Sequence, residues 1–384
     1  MIYKNLIINK NVSKDLFLFY KKNKLPNAFI FHGLEGVGKE AHAIEFFALL
    51  NCKNLRNQFA CGECDSCKKT SILQHELLHI ITPLPKSKNV TKNDHPLKAL
   101  NEKQKKTLID SYNLKGSDPY FKIQLEGANR IILNSIKEIK KTVTLSIPNK
   151  KNRVFLILQA EKLCYPNQES ANALLKILEE PKENNLFILV TSEINKIIPT
   201  IKSRCTNIYF PILEPQQIEN YLLNFNVSDT TTIAKISDGN IHYALKIKDS
   251  ISQKISSVEK MSDAILTFNI DKWNNDFKDK NKDESIDNLK LLNLFFRDLE
   301  IIKNSQSSDN VIFNNFEKHY YKLLKMYPNI NITQIIQNIE NTQNYINMNG
   351  YSRLMINGLF IEINKDFKNE YYSQFNIQSW VSHT

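Results

Sequence analysis

The stretch Ala28-Phe-Ile-Phe-His-Gly-Leu-Glu-Gly-Val-Gly-Lys-Glu40 joins a short apolar run to a glycine-rich turn. Its first five residues have the composition of a buried strand, and a helical pattern follows from about Lys39 to Leu50. A GxxxxGK pattern between a strand and a helix is typical of a phosphate-binding loop (P-loop), whose backbone N–H groups cradle phosphate. We therefore predict an α/β domain with a parallel sheet, and the candidate nucleotide-binding residues are Gly33, Gly36, Gly38 and Lys39.

Four more apolar segments have the length and composition of strands that are buried on both faces of a sheet. A helical segment, Glu169–Glu180, separates two of them and ends before a proline. Because strands and helices alternate, we expect an α/β domain over residues 1–211. The helical pattern beyond it predicts a small helical domain over 212–250 and an all-helical domain over 251–384. The predicted strands are Leu78–Ile81, Val154–Leu158, Leu186–Thr191 and Asn207–Leu213.

One segment of the first domain departs from this alternation. The residues from about Lys86 to Ser117 are polar, rich in lysine and barely periodic. A segment with few apolar residues gains little from burial and tends to remain at the surface. We therefore predict a surface insertion over about 86–117 that contains a short helix at most.

Two positions depart from the pattern of a working P-loop. The residue after the loop lysine is normally Ser or Thr, whose hydroxyl binds Mg²⁺, but here it is Glu40. A carboxylate beside bound phosphates costs on the order of 1–4 kcal/mol. Acidic residues are also expected where a buried strand ends, yet Leu158-Gln159 stand there and Glu161 lies three positions beyond Leu158. We predict a loop kept for its turn geometry, without intrinsic ATPase activity; the alternative is a working site in which Glu161 or Glu40 binds Mg²⁺.

Four of the six cysteines are close together in the sequence, at Cys52, Cys61, Cys64 and Cys67. Four thiolates match the ligands of a tetrahedral zinc ion, and the two CxxC steps let one loop surround the metal. The chain has no predicted secretion signal, which argues for a metal and against disulfides. We therefore predict a structural zinc module over 52–67, with no open position on the metal for catalysis.

The composition is basic, with 51 lysines and arginines against 40 acidic residues and a formal charge of +11. This excess suits a partner rich in phosphate. A bias toward Lys, Asn and Ile from AT-rich coding explains it equally well, because the lysines are not clustered in one tract. No apolar run is long enough to span a bilayer, so we expect a cytoplasmic protein without a membrane partner.

Three further segments carry a resemblance to a known family: Asn172-Ala-Leu-Leu-Lys-Ile-Leu-Glu-Glu-Pro181, Thr191-Ser-Glu193 and Ser203-Arg204-Cys205. Together with the P-loop and the cysteine segment, they resemble the bacterial DNA polymerase III clamp loader, which belongs to the AAA+ family. The resemblance covers roughly Leu25 to Phe210, apart from the 86–117 insertion. It implies a P-loop AAA+ sheet domain, a small helical lid, and a helical collar that joins subunits in a ring.

Within that family, motor subunits keep a complete nucleotide site, whereas delta-prime subunits have a degenerate one. This chain resembles the second kind, because Glu40 and Leu158-Gln159 depart from the motor pattern and His242 stands about where motors carry an arginine. Thr191 matches the first sensor position of the motors. The resemblance implies that Arg204 acts as an arginine finger in the ATP site of a neighbouring motor, where a guanidinium neutralises charge on the transferred phosphoryl group.

The implied partners are the motor and delta subunits of a hetero-pentameric ring. Primer–template DNA would be bound through the complex, and the sliding clamp would be reached indirectly. Two alternatives remain open: an active clamp-loader ATPase of the gamma/tau kind, and a stand-alone zinc-containing DNA-binding protein, which the basic charge supports. Against the latter, the residues between the last three cysteines are neither aromatic nor basic: Gly62, Glu63, Asp65 and Ser66.

Overall fold

The computed structural model describes residues 1–22, 24–88, 91, 93–147, 151–278, 280–305, 311–348 and 350–381. The chain falls into two compact units. The first comprises Met1–Phe225 and Ser237–Leu245, and the second comprises Asn226–Ile236 and Lys246–Thr384. The predicted division into three domains, with limits near residues 211 and 250, stays a prediction. Among the described residues, no helix has both the length and the apolar character that crossing a membrane requires.

A parallel five-stranded sheet forms the centre of the first unit. Its strands β1 to β5, in chain order, are Ala28–His32, Leu78–Ile81, Arg153–Ile157, Asn185–Thr191 and Thr206–Tyr209. They lie side by side in the order β2-β3-β4-β1-β5, and every neighbouring pair is parallel. In the register of β1, Ile30 stands opposite Leu189 on one side and Asn207 on the other. The predicted α/β fold class is confirmed, although the fifth strand ends at Tyr209 and not at Leu213.

The two strands β3 and β4 are buried along their whole length. Their aromatic residues Phe155 and Phe187 stack with ring centroids 5.0 Å apart. A strand that is covered on both faces favours apolar side chains at successive positions, which explains the apolar runs 154–157 and 186–190 within these strands.

Helices account for most of the remaining chain. Helices α1 to α8, in the first unit, are Lys10–Lys21, Lys39–Asn51, Asp65–Ser71, Glu102–Ser117, Leu133–Val143, Glu169–Glu179, Pro199–Lys202 and Pro215–Leu222. Helix α9, Thr230–Ile236, belongs to the second unit, and α10, Ile241–Ile247, crosses the division. Helices α11 to α16, in the second unit, are Ile251–Leu266, Ile270–Phe277, Lys282–Ser305, Glu317–Met326, Ile332–Asn347 and Ser352–Val381. The helical character predicted beyond residue 212 is confirmed.

The expectation of a short helix at most over residues 86–117 is wrong. Helix α4 occupies sixteen residues of this segment and begins with a capping box, in which Asn101 and Gln104 bond each other's backbone N–H. Its inward face carries Leu108, Ser111 and Lys115, all buried. Only Leu108 among these three is large and apolar. The hydropathy pattern of the sequence therefore does not show the helical periodicity of this face. The rest of the predicted insertion includes residues 89, 90 and 92, which lie outside the described residues.

Buried aromatic residues organise the second unit around α13. Trp273 and Tyr320 are both fully buried. The Asp298 carboxylate is also fully buried, and it accepts the backbone N–H groups of Ile312 and Phe313 and the Tyr320 hydroxyl. A carboxylate is tolerated in such a core only when donors surround it. The amphipathic segment predicted from Leu289 onward lies within α13 and supplies the apolar face of this core.

Candidate functional site

The carboxyl ends of parallel strands lie along one edge of a sheet, where ligand sites of open α/β sheets form. Strand β1 leads into the P-loop and α2, β3 leads into Leu158–Glu161, and β4 leads into Ser192. These three connections line one cleft of about 320 Å³. The sheet therefore brings together residues that are far apart in sequence, as the motif positions predicted.

Two glycines of the P-loop hold conformations that other residues rarely adopt. Gly33 has a φ of 148°, and a Cβ there would lie 2.3 Å from the Phe210 carbonyl oxygen. Gly36 has a φ of 77°, and a Cβ there would lie 1.9 Å from the Asn240 side-chain oxygen. Any larger residue would be strained and would collide with its neighbour. The loop geometry expected from the motif is thus present, and Asn240 packs directly onto it.

The Lys39 ammonium is folded back onto its own loop. It is buried, and it donates to the carbonyl oxygens of Gly33 (2.8 Å) and Leu34 and to the Ser192 hydroxyl (3.2 Å). Burial lowers the pKa of Lys39 to about 8. An ammonium has three N–H donors, and all three are used within the protein. A phosphate group would therefore have to displace these bonds in order to bind Lys39.

Glu40 is bound to a lysine from outside the motif. Its carboxylate lies 2.7 Å from the Nζ atom of Lys115, whose side chain is only 2% exposed. The same ammonium donates to the carbonyl oxygens of Pro119 (3.0 Å) and Phe121 (2.7 Å). Lys115 thus neutralises the carboxylate that replaces the magnesium-binding hydroxyl. The role of Lys115 was not predicted from the sequence. Lys115 follows Leu108 by seven residues, about two helical turns, and this spacing places both side chains on the inward face of α4.

The acidic residue past β3 lies inside the same cleft. Leu158 is buried, and Gln159 donates from its side chain to the Ile123 carbonyl oxygen at 3.2 Å. Glu161 accepts the Thr191 hydroxyl at 2.6 Å, at the carboxyl end of β4. Glu161 also lines the cleft that contains Lys39. A carboxylate therefore stands in the cleft, although not at the strand end where the motif places it.

His242 is the last of the predicted positions in this cleft. It lies at the start of α10 and lines the cleft together with Gly36, Lys39 and Glu161. An imidazole lacks the planar fork of five N–H donors of the arginine that the family resemblance places there. Among the described residues that line the cleft there is no arginine.

Arg204 lies outside the cleft, in the turn between α7 and β5. Its Nη1 atom donates to the Thr200 carbonyl oxygen at 3.0 Å, and its Nη2 atom donates to a Glu179 carboxylate oxygen at 2.9 Å. The side chain is 37% exposed. The structure thus does not bring Arg204 together with Lys39 and Glu161, and it leaves the guanidinium accessible at the surface.

The four clustered cysteines form a second candidate site. Their Sγ atoms all lie within 4.8 Å of one another, and Cys67 lies 3.8 Å from Cys61 and 3.7 Å from Cys52. Backbone N–H groups of Glu63 and Cys64 point at the Cys61 sulfur and lower its pKa to about 6. Donors of this kind favour the thiolate, the form that binds metals. These four residues can hold a metal ion.

Several known proteins are similar to this chain in sequence. The model of a family described as DNA polymerase III, delta subunit, matches residues 8–214. The chain is 23% identical to the DNA polymerase III subunit delta' of Bacillus subtilis over 76% of its length and 77% of that protein's. It is 27% identical to the DNA polymerase III subunit gamma/tau of Mycoplasma genitalium over 70% of its length, but it spans only 38% of that protein.

A solved structure from Thermotoga maritima, described as a DNA polymerase III gamma subunit-related protein, is also similar. It has a TM-score of 0.39 and 12% sequence identity, over 92% of this chain and 99% of that one.

The Glu40–Lys115 ion pair predicts a specific pattern of stabilities. Replacing Lys115 by Met should leave a half-buried carboxylate unpaired and destabilise the first unit by about 3 kcal/mol. The double variant Glu40→Leu/Lys115→Met should recover most of this loss, because it removes both charges.

Hydrogen exchange of the α2 amides is the appropriate measurement, and Lys115→Met should accelerate it by roughly 100-fold. Lys106→Met, on the exposed face of α4, is the control and should change exchange little. A double variant that exchanges as fast as Lys115→Met alone would contradict the pairing.

Proposed function

This chain belongs to the family of DNA polymerase III delta subunits, whose model matches residues 8–214, and from that membership we propose that it is a non-hydrolysing clamp-loader subunit of the delta-prime kind. In this role it helps to load the sliding clamp onto primed DNA, within a ring that contains motor subunits and a delta subunit. The observation that carries the proposal is the ion pair between Glu40 and Lys115.

The ion pair supports the absence of ATP hydrolysis. Phosphoryl transfer in P-loop enzymes needs Mg²⁺ held by the hydroxyl that follows the loop lysine. Here a carboxylate takes that position, and an ammonium 2.7 Å away already neutralises it. Because two cations repel each other strongly at such a distance, the ammonium disfavours a magnesium ion beside Glu40. The three bonds of the Lys39 ammonium to its own loop and to Ser192 oppose phosphate binding as well.

The position of Arg204 supports an arginine finger that acts in trans. The guanidinium is partly exposed and lies outside the chain's own cleft, so it is accessible to another subunit. In that role it neutralises the charge that develops on the transferred phosphoryl group in the motor's ATP site. This chain would then contribute to ATP hydrolysis in the ring without performing it.

An active ATPase of the gamma/tau kind is the second candidate. One observation favours it, since Glu161 lies in the same cleft as Lys39 and is bonded to Thr191. A carboxylate in that place could hold Mg²⁺. A stand-alone DNA-binding protein has less support, because the acidic residues of the cysteine loop pair with its own basic residues, Glu63 with Arg56 and Asp65 with Lys53.

The metal that best suits the four cysteines is zinc, which serves as a structural cofactor in this proposal. Four Zn–S bonds of about 2.3 Å in a tetrahedron place the sulfur atoms about 3.8 Å apart. The Cys61–Cys67 and Cys52–Cys67 distances of 3.8 and 3.7 Å match this value. With four thiolate ligands, the ion would fix the loop between α2 and α3 and would have no position for a substrate.

Zinc content tests this assignment directly. The purified chain should contain one zinc ion per molecule, measured by elemental analysis or native mass spectrometry. Cys67→Ser removes the buried ligand and should weaken zinc binding by more than about 100-fold. Cys164→Ser, outside the cluster, should leave the zinc content unchanged. Retention of zinc by the Cys67 variant would contradict the four-cysteine site.

Replacing Arg204 tests the finger. In a clamp loader reconstituted from the motor and delta subunits of the same organism, Arg204→Ala should slow hydrolysis at one motor site by about 10³-fold. In single-turnover measurements with DNA and clamp, the amplitude of the fast phase of ATP hydrolysis should be smaller than in the unaltered complex by one ATP per complex. Lys176→Ala, an exposed cation on α6, is the matched control. An unchanged fast phase with Arg204→Ala would refute the proposed role.

A further inference from the structure

Two groups of this chain hold the Arg204 guanidinium in place. One is the Thr200 carbonyl oxygen, in the helical turn just before Arg204, at 3.0 Å from Nη1. The other is the carboxylate of Glu179, the last residue of α6, at 2.9 Å from Nη2. The two contacts come from different helices, α7 and α6. The orientation of the side chain is therefore fixed by the tertiary packing of these helices as well as by the local turn.

From this geometry we propose that Glu179 is a positioning residue for the arginine finger. It holds the guanidinium of Arg204 in one orientation, so that its remaining N–H groups face the phosphates of the neighbouring ATP site. This inference rests on the proposed function of Arg204 and adds a second residue to it. Glu179 itself contacts neither nucleotide nor metal in this role.

The donor count of the guanidinium permits this arrangement. An arginine side chain carries five N–H donors in a planar fork. The two contacts with Thr200 and Glu179 use one donor on each terminal nitrogen, which leaves three for a phosphate. Glu179 thus orients the finger without exhausting its capacity to bind an anion.

The exposure of the pair shows why orientation, and not stability, is its contribution. The side chains of Arg204 and Glu179 are 37% and 48% exposed. Exposed ion pairs contribute little to folding stability. A long side chain that is already ordered loses less conformational entropy when it binds, however, so preorganisation favours the bound geometry. Loss of Glu179 should therefore affect the reaction in the ring and leave the fold intact.

The adjacent Glu180 provides a matched control. Both carboxylates are exposed at the end of α6, but only Glu179 is bonded to Arg204. Glu179→Gln retains an oxygen that can accept the Arg204 N–H, whereas Glu179→Ala does not. If Glu179 acts by positioning Arg204, Glu179→Ala should slow ATP hydrolysis at the site that Arg204 serves. Glu179→Gln should hydrolyse ATP at nearly the rate of the unaltered complex, and Glu180→Ala should leave that rate unchanged.

The experiment uses the reconstituted clamp loader and measures single-turnover ATP hydrolysis with DNA and clamp over a range of ATP concentrations. Glu179→Ala should slow the site that Arg204 serves by roughly 5- to 10-fold, the size expected for the net contribution of one hydrogen bond, and it should leave the ATP concentration that gives the half-maximal rate unchanged. Glu179→Gln should lie within about twofold of the unaltered complex. Glu179→Ala/Arg204→Ala should be no slower than Arg204→Ala alone, because both changes act on one group.

The outcomes separate this inference from the proposed function. If Arg204→Ala slows hydrolysis and Glu179→Ala does not, the finger stands and the positioning role of Glu179 is refuted. If the double variant is slower than Arg204→Ala alone, Glu179 acts independently of the finger, which also refutes the inference. If Arg204→Ala has no effect, both proposals fail. Equal effects of Glu179→Ala and Glu180→Ala would indicate a nonspecific effect of charge and would overturn the assignment.

Discussion

The arrangement of the cleft depends on the ion pair between Glu40 and Lys115. A carboxylate at the start of α2 stands beside the P-loop, and its burial is unfavourable without a cation. Lys115 supplies that cation from α4, and two carbonyl oxygens satisfy its other donors. The Tyr3 hydroxyl in turn donates to the Lys115 carbonyl oxygen. The ion pair thus joins α2 to α4, and the Tyr3 bond attaches the N-terminal segment to α4.

The pairing of Lys115 with Glu40 distinguishes the cleft of this chain from the surface around Arg204. The cleft has the shape of a nucleotide site, with a glycine-rich loop, Lys39 and a carboxylate at Glu161. Its principal cations are engaged with protein oxygens, however, and we therefore propose that the cleft keeps this shape without binding magnesium and phosphate. Arg204 is arranged differently, because two contacts orient it and its side chain remains partly exposed. We infer that such a chain acts on a neighbour's nucleotide and not on its own.

Features that local sequence patterns encode were predictable. The five strands follow from short apolar runs that are interrupted in β2 and β5. The cysteine cluster follows from its spacing, and its four sulfur atoms lie within 4.8 Å of one another. The end of β5 and the length of α4 were mispredicted, because apolar residues continue past Tyr209 and because α4 buries a lysine. Contacts between distant elements were not predictable, such as those of Lys115 with Glu40 and of Glu179 with Arg204. Each contact joins two charged side chains, and in a single sequence such residues cannot be distinguished from ordinary surface residues.

We propose that the cleft of this chain does not turn over ATP. The most direct measurement is steady-state ATP hydrolysis by the purified chain alone with Mg²⁺, compared with Lys39→Ala prepared in the same way. We predict that the two rates are indistinguishable, because the ammonium of Lys115 takes the place of the metal. A magnesium-dependent rate clearly above that of Lys39→Ala would contradict this account. It would instead identify an active motor that uses Glu161 or Glu40 as an unconventional ligand.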